Sequence, residues 1–267
     1  MYKGFKVIDA HCHIYPEKIA AKAVEGIGGF YDIKMGEKGI VSDLFEKGER
    51  AGIDQFIVFS VATKPAQVQS INEFIAGEVA RAGGKLVGLG TVHPDSADMR
   101  GDIEHLKALG LKGVKIHPDF QKTKLDDYRF LKLYELCAAA DLPVLAHTGD
   151  KRYDFSNPNR MRPLLEAFPD VTFIGAHFGG WSIWEQAYES LAGFENFYVD
   201  CSSSFYALPR EKSERLIAAY GEDKVLFGTD YPMWNADREL EYFFSLELSD
   251  SAREKILHQN AEKILKI

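Results

Sequence analysis

Residues 5–13 read FKVIDAHCH, and the chain returns near its other end to a similar stretch, KVLFGTDYP at 224–232. Each is a short apolar, β-branched run that ends in histidine or aspartate and then a turn, as many strands do. With the first strand placed at 5–11, six further runs lie between the two: DQFIVFSV at 54–61, LVGLGTVHP at 86–94, GVKIHP at 113–118, PVLAHTG at 143–149, TFIGAHFG at 172–179 and FYVDCSS at 197–203. Eight strands that alternate with helical patterns favour a closed (β/α)8 TIM barrel, an α/β fold, over an open parallel sheet.

Amphipathic helical patterns fill the intervals between the strands, at 41–51, 67–82, 98–109, 127–140, 160–168, 181–192, 209–220 and 237–246. An extra C-terminal helix is predicted at 250–266, after the eighth unit. The glycine-rich stretch 16–40 fits no βα unit, and we expect a loop there over the mouth of the barrel. Because one barrel needs about 250 residues and no linker interrupts the pattern, residues 1–267 are predicted to form a single domain.

Composition narrows the classes of partner. The 267 residues include 32 Lys and Arg against 40 Asp and Glu, a net charge of -8, and no basic stripe suited to a phosphate backbone is present. The three cysteines form no CxxC pair, and neither a signal-peptide core nor a span of about 20 apolar residues is visible. We therefore expect a cytoplasmic protein that binds a small molecule, neither nucleic acid nor membrane, and that forms a homodimer if it assembles at all.

Histidine and aspartate concentrate where the predicted strands end. The residues at these positions are His11, His13, His93, His117, His147, His177 and Asp230. Active sites of (β/α)8 barrels are built at the C-terminal ends of the strands, whereas structural histidines have no reason to gather at one edge of a sheet. The positions therefore predict a functional site at this end of the barrel. His93 precedes a proline and is expected to support a loop.

The first strand predicts a metal site by its alternation. Side chains two residues apart point the same way, so Asp9, His11 and His13 are expected on one face and Ala10 and Cys12 on the other. Two imidazoles then face the barrel axis together, and imidazole with carboxylate is a ligand set that suits zinc. Cys12 is expected to point to the helix layer, and Asp9 to orient its neighbours as a buried hydrogen-bond acceptor.

Four motifs in this order resemble the amidohydrolase superfamily: an HxH ending the first strand, LAHTG ending the fifth, IGAHFGG ending the sixth and FGTDYP ending the eighth. The details look like the amidohydrolase-related group within it, which includes the aminocarboxymuconate-semialdehyde decarboxylase and resorcylate decarboxylase families. These details are DAHCHIYP, GVKIHP, HFGG, GTDYP and the closing NAEKILKI. The resemblance covers nearly the whole chain.

The resemblance implies a set of site residues. His11, His13, His147 and Asp230 would bind one divalent metal ion, for which zinc is our choice from the ligand types. His177 and Asp230 would be catalytic, His177 next to the metal-bound water and Asp230 as the carrier of a proton. Asp230 alone is also compatible with capping a helix, because Gly-Thr-Asp-Tyr-Pro is reasonable turn chemistry.

Further residues are predicted to contact the substrate. Lys115 and His117 share a parity that turns both into the barrel, and binuclear members of the superfamily carry a carboxylated lysine on this strand. We favour one metal, with Lys115 as a charge partner and His117 beside the substrate. Arg152 is placed to hold a substrate carboxylate, and Trp181 and Tyr231 to line an apolar pocket.

The leading hypothesis for function is a hydrolase that attacks a small amide, lactone or related carbonyl compound with a metal-activated water. The alternative is a metal-dependent, non-oxidative decarboxylase of a small unsaturated or aromatic acid, built from the same ligands. Such an enzyme needs a cation near the departing carboxylate, with Arg152 or Arg160 as candidates. A non-catalytic metal-binding barrel is the hypothesis from another class.

Overall fold

The structure, a computed structural model, describes every residue from Met1 to Ile267. Its strands are short, and all of them pair in parallel. They are β1 (Ile8–His13), β2 (Gln55–Phe59), β3 (Leu86–Gly88), β4 (Gly90–Thr91), β5 (Val114–Ile116), β6 (Val144–Ala146), β7 (Phe173–Gly175), β8 (Phe197–Asp200) and β9 (Val225–Leu226). Each overlaps one of the eight predicted strands, although β1 runs two residues past its predicted end at 11, and β3 and β4 are two pieces of the third.

The strands close into a barrel in sequence order. One sheet runs β1-β2-β3 and the other runs from β4 to β9, joined where Leu89 interrupts the third strand. On the other side, the amide of Ala10 donates to the carbonyl of Phe227 at 2.8 Å, and that of His13 donates to the carbonyl of Tyr231 at 2.7 Å. The predicted α/β barrel is therefore confirmed.

Helices connect the strands, and those that were predicted have bounds within a few residues of the predicted intervals, whereas the helices at 17–31 and 118–121 were not predicted. They are α1 (Glu17–Tyr31), α2 (Val41–Ala51), α3 (Val68–Arg81), α4 (Met99–Ala108), α5 (Pro118–Gln121), α6 (Tyr128–Ala140), α7 (Pro158–Ala167), α8 (Trp184–Leu191), α9 (Arg210–Tyr220), α10 (Ala236–Ser245), α11 (Asp250–Glu254) and α12 (Asn260–Leu265). A π-helical turn, Lys255–Gln259, joins α11 to α12, so the predicted C-terminal helix is present as one irregular helix. None of the helices is both long and apolar enough to cross a membrane.

The prediction of a loop over 16–40 is wrong, because α1 occupies 15 residues of it. Three glycines lowered the helical tendency of this stretch, since each costs about 1 kcal/mol relative to alanine in a helix. The tertiary structure overrides that preference. Only the part after Tyr31 is irregular, and α1 lies over the mouth where the loop was expected.

The first strand contains a bulge that the alternation could not predict. The pairing with β2 shifts between Asp9 and Cys12, so one extra residue is inserted in β1. As a result Ala10 belongs to the inner apolar cluster, whereas Asp9 bonds to Thr229. The predicted faces of Asp9 and Ala10 were wrong. Beyond the bulge the expected alternation holds, with Cys12 packed in the outer core and His13 paired with Phe59.

Two apolar layers hold the barrel together. The larger cluster of 49 buried residues fills the space between strands and helices, and a second cluster of 14 residues fills the barrel interior. The interior cluster includes Ile8 and Leu145 from strands together with Ile264 and Leu265 from α12. The extra C-terminal helix therefore contributes side chains to the barrel interior, while the C-terminal ends of the strands are left for polar residues.

Candidate metal centre

Three of the four predicted metal ligands come together at the mouth of the barrel. The Nε2 atoms of His11 and His13 lie 3.3 Å apart, and Oδ1 of Asp230 lies 3.4 Å from the first and 3.5 Å from the second. His11 and Asp230 are buried, and His13 is nearly so. We call these three residues the triad.

The triad fits a divalent metal ion in both spacing and protonation. Ligands about 2.0–2.1 Å from zinc stand about 3.3–3.4 Å apart in a tetrahedron, which is the spacing of the three atoms. Burial, with the charge of Lys115 added, lowers the pKa of His11 to about 4, and burial also lowers the pKa of His13. Both imidazoles are therefore neutral near pH 7, the form that binds metal.

Asp200, which sequence analysis missed, fixes the orientation of His11. Its Oδ2 accepts a hydrogen bond from Nδ1 of His11 at 2.8 Å, so Nε2 keeps its lone pair for the triad. Burial opposes the ionisation of Asp200, but His11 and His177 outweigh it and lower the pKa of the carboxyl well below its usual range. Asp200 ends β8 within FYVDCSS, so its strand-end position was a signal available in the sequence.

Asp230 is held in a backbone conformation that few residues adopt. Its φ is 62°, in the left-handed region that non-glycine residues rarely occupy and that is found more often at functional sites. Ser203 donates to its Oδ2, and Nε1 of Trp234 donates to the same hydroxyl oxygen at 2.7 Å. Burial would raise the pKa of Asp230, but the neighbouring histidines, led by His11, lower it well below its usual range.

His177 lies next to the triad in a similarly strained conformation, with φ at 61°. Its Nδ1 lies 3.0 Å from the carbonyl oxygen of Ser202, which can only accept, so Nδ1 carries the ring hydrogen. Nε2 is therefore an acceptor, and it faces Nδ1 of His147 at 3.1 Å. The acceptor nitrogen of His177 therefore lies in the pocket lining, directed at His147.

His147, the fourth predicted ligand, is close to the triad without joining it. Its ring stacks on that of His117, with centroids 4.0 Å apart, and its Nε2 is buried without a hydrogen-bond partner. Asp119 is the nearest carboxylate, 3.6 Å from that nitrogen, and burial raises the pKa of Asp119 to about 7. The role of His147 as a metal ligand stays a prediction.

Lys115 and His117 both line the pocket, as their parity predicts. Nζ of Lys115 lies 3.3 Å from Nε2 of His11 and 4.9 Å from the centre of the Phe59 ring, and no carboxylate oxygen lies within 4.0 Å of it. Only 1 % of Lys115 is exposed, and burial lowers the pKa of its amino group to about 8. An amino group without a direct carboxylate contact is thus buried beside the triad, with the charges of Asp200 and Asp230 partly offsetting its burial.

Apolar residues cover the other side of the pocket. Ile27 and Tyr31 from α1 and Met35 from the following turn line it together with the triad, and we call these three residues the cover. The hydroxyl of Tyr31 lies 2.9 Å from Nε2 of His117. Sequence analysis missed Tyr31, because the segment that carries it was assigned to a loop.

The remaining three predicted substrate contacts lie outside the pocket lining. Arg152 pairs with Asp150, Trp181 packs against Tyr31, and the hydroxyl of Tyr231 bonds to Asp43 on α2. Each side chain follows a strand end, as predicted, but continues outward from the mouth. Their placement does not support the predicted contacts of Arg152, Trp181 and Tyr231 with substrate. His93 also lies apart from the triad and accepts a hydrogen bond from the amide of Asp95, the loop role expected for it.

Fold and site together define a parallel barrel with a candidate divalent-metal centre at its mouth. The chain matches the amidohydrolase family over residues 8–267 and belongs to that family. It is an enzyme family, in agreement with the resemblance found in the sequence.

Among curated proteins, the chain is 34% identical over 76 residues to a gamma-resorcylate decarboxylase of Polaromonas sp. (strain JS666 / ATCC BAA-500). This match covers 27% of this chain and 22% of that protein. The match thus spans about a fifth of the length of the curated relatives.

Two solved structures share the fold over nearly their full length. One is an uncharacterised TIM-barrel protein of Bordetella bronchiseptica, with a TM-score of 0.82, 23% identity and coverage of 98% of this chain and 99% of that chain. The other is a dihydroxybenzoic acid decarboxylase of Polaromonas sp. JS666 with bound manganese and the inhibitor 2-nitroresorcinol. Its TM-score is 0.76, with 18% identity and coverage of 98% and 97%.

Proposed function

We propose that this protein is a metal-dependent, non-oxidative decarboxylase of a small aromatic or unsaturated carboxylic acid. The observation that carries the proposal is the buried amino group of Lys115, which lies beside the triad without a carboxylate partner. A buried unpaired cation is costly unless a ligand of opposite charge completes the site. A substrate carboxylate bound at the pocket beside both Lys115 and the triad would do so.

The local similarity to gamma-resorcylate decarboxylases supports this activity over the hydrolase that sequence analysis ranked first. A hydrolase of neutral amides or lactones gives no reason for the unpaired Lys115. We assign Lys115, inside the barrel, as the cation that the decarboxylase hypothesis requires near the departing carboxylate. Arg152 and Arg160, the candidates named from the sequence, are each paired with aspartates.

We assign His11, His13 and Asp230 as metal ligands, with His147 as the fourth. A divalent cation held there would supply positive charge that polarises a bound carboxylate or phenolate. Zinc is our choice from the two imidazoles and one carboxylate, and manganese, which the Polaromonas structure holds, is the other candidate. Elemental analysis should find about one ion per chain, and two ions with a carboxylated Lys115 would contradict the single-metal assignment.

The protein's own groups account for the proton that replaces the carboxylate. When the bond to CO2 breaks, its electron pair stays on the substrate carbon, and a proton must be delivered there. We assign delivery to Asp230, the carboxylate of the triad, which takes up a proton from water or from a substrate hydroxyl. We assign to His177, whose Nε2 is a hydrogen-bond acceptor at the mouth, the role of holding that proton within the site until it is transferred. The apolar cover excludes bulk water that would compete for it.

The test is a product assay on metal-loaded protein. We expect release of CO2 from 2,6-dihydroxybenzoate or 5-carboxyvanillate, the acids named for structurally similar decarboxylases, and no hydrolysis of a matched panel of esters, lactones and amides. Hydrolysis without CO2 release would restore the hydrolase hypothesis. Turnover of neither panel would favour the non-catalytic barrel.

A lysine variant tests the observation itself. Lys115→Met should raise KM for the acid by about tenfold or more, the effect of losing one charge-assisted hydrogen bond. Metal content must be measured on the same samples, because Lys115 touches His11. Lys112→Gln is the matched control. Lys112 is exposed and lies just before the same strand, so this variant should leave KM unchanged.

A further inference from the structure

The end of α1 is the weakest part of the pocket wall by sequence. Gly26, Gly28 and Gly29 lie in its last two turns, where each glycine lowers helical stability. The last carbonyls of a helix also lack partners within it. Here one of these carbonyls, that of Gly28, accepts hydrogen bonds from the amides of Asp32 and Ile33.

Arg152 provides a hydrogen-bond partner for another of these carbonyls, that of Phe30. Its Nη1 donates to the carbonyl of Phe30 at 2.7 Å, while Nε and Nη2 hold the buried carboxylate of Asp150 at 3.0 and 2.7 Å. The guanidinium also lies over four aromatic rings, those of Phe30, Tyr31, Tyr153 and Trp181, at 4.9 to 5.7 Å. One side chain thereby ties α1 to the loop after β6.

In the position set by this anchor, Tyr31 has a hydroxyl hydrogen that is free to be donated. Nδ1 of His117 accepts from the amide of Phe120, so the ring hydrogen is on Nε2 and is donated to the oxygen of Tyr31. The hydrogen of the phenol is then available to another acceptor. Tyr31 lines the pocket, so its hydroxyl is within reach of a molecule bound there.

We propose that Tyr31 donates a hydrogen bond to the substrate in the pocket, and that Arg152 is a positioning residue that holds Tyr31 there by fastening the end of α1. The acceptor is an oxygen of an acidic substrate, so this part rests on the proposed function. Arg152 thus acts on the substrate through the cover, without the direct contact predicted from the sequence.

The anchoring is tested without any substrate, by hydrogen–deuterium exchange of the metal-free protein. Arg152→Gln should speed exchange of the amides of residues 27–35 by about tenfold or more, the effect of losing a hydrogen bond to a charged group. Arg152→Lys, which keeps a charge for Asp150 but cannot also reach Phe30, should act in the same direction. Arg160→Gln is the control, because Arg160 pairs with Asp126 and Asp154 and not with α1. Unchanged exchange at 27–35 in both Arg152 variants would overturn the anchoring role.

The positioning role is tested by kinetics with whichever acid the wild type decarboxylates. Tyr31→Phe should lower kcat/KM by about tenfold, the effect of one hydrogen bond, and its Tm is measured on the same samples because the variant also removes the acceptor of Nε2 of His117. In the Tyr31→Phe background, Arg152→Lys should cost less than it does alone, because both act through one hydroxyl. Full additivity of the two losses, or wild-type kcat/KM in Tyr31→Phe, would overturn the proposal. If no acid is turned over, the proposed function fails while the exchange result still decides whether Arg152 anchors α1.

Discussion

The triad and the cover line the same pocket, and they are held by different physical means. The triad comes from the ends of β1 and the segment after β9, and buried side chains fix its orientation, Asp200 behind His11 and Ser203 behind Asp230. The cover comes from a helix with three glycines in its last two turns, fastened by Arg152.

The difference teaches where rigidity and adaptability lie in this site. A metal site requires ligand atoms within a few tenths of an ångström, so buried strand ends and charged partners suit the triad. Substrate must enter and leave, which suits a cover held by few contacts. Changes in the triad are therefore expected to abolish function, and changes in the cover to tune it.

The largest effect is expected from His13→Ala, which removes one of the three ligand atoms of the triad. Bound metal and decarboxylase activity should be lost together, as measured by elemental analysis and CO2 release on the same samples. Cys12→Ser is the matched control, because Cys12 packs in the outer core and should keep both. Metal retained by His13→Ala and lost by Cys12→Ser would break the assignment of the triad.

Asp230→Asn tests the proton-transfer role of Asp230 separately from its role as a metal ligand. An asparagine oxygen can still bind the ion but cannot accept the proton, so turnover should fall by about 10²–10⁴ while much of the metal is retained. His177→Asn should also lose activity, with less loss of metal than His147→Ala. Turnover of Asp230→Asn within about threefold of wild type, far below that range, would move the proton carrier to His177 or His117.

Asp200→Asn tests whether the triad depends on its buried support. Without the carboxylate, His11 loses the partner that fixes its tautomer, and metal affinity should weaken by about 10–100-fold in a competition titration. Asp170→Asn, at an exposed position outside the strands, should bind metal as the wild type does. Equal affinity in both variants would show that the strand alone orients His11.

Glu239→Gln tests how much the folded state is destabilised by the buried carboxyl of Glu239, which lies near those of Asp9 and Asp230. Burial, then Asp9 and Asp230, raises the pKa of Glu239 to about 8. Between its ordinary pKa and that value the folded state holds a proton that the unfolded state releases, so wild-type stability falls as pH rises through this window. In urea unfolding the variant should match the wild type near pH 4.5 and be more stable by about 4 kcal/mol at pH 8, since each pKa unit is worth about 1.4 kcal/mol. An identical pH dependence would rule out this cost.

The smallest effect concerns the helix of the cover. A Cβ added at Gly29 meets no atom within 4 Å, so Gly29→Ala should stabilise the protein by about 0.5–1 kcal/mol. A Cβ at Gly28 would lie 2.8 Å from the carbonyl oxygen of Ile33, so Gly28→Ala should destabilise it instead. The free energies of unfolding of the two variants provide the comparison. If both are stabilised, the turn after α1 is not packed as described.

Most of the fold and part of the site were predictable because they depend on local patterns. Each of the eight strands was placed by its apolar run and its polar end, and the closing helix by its position after the last strand. His11, His13 and Asp230 were found because strand ends in a barrel meet at one rim. Asp200 could have been found by the same rule, since it also ends a strand.

The remaining features depend on contacts between distant parts of the chain. Whether a glycine-rich segment becomes helical depends on what it packs against, so the sequence around Gly28 predicted a loop where α1 forms. The bulge at Ala10 depends on pairing with β2, which alternation within one strand does not contain. Arg152 follows a strand end like the catalytic candidates, and only its partners Asp150 and Phe30 show that it turns outward.

The sequence by itself determined the barrel, the order of its strands and the rim where histidines and aspartates gather, because hydrophobic periodicity and strand ends are local properties of the chain. Only the tertiary structure decided which of those side chains meet, that Lys115 is left without a carboxylate partner, and that a helix covers the pocket. Those outcomes depend on side-chain distances of a few ångströms between residues far apart in sequence, and no local pattern specifies such distances.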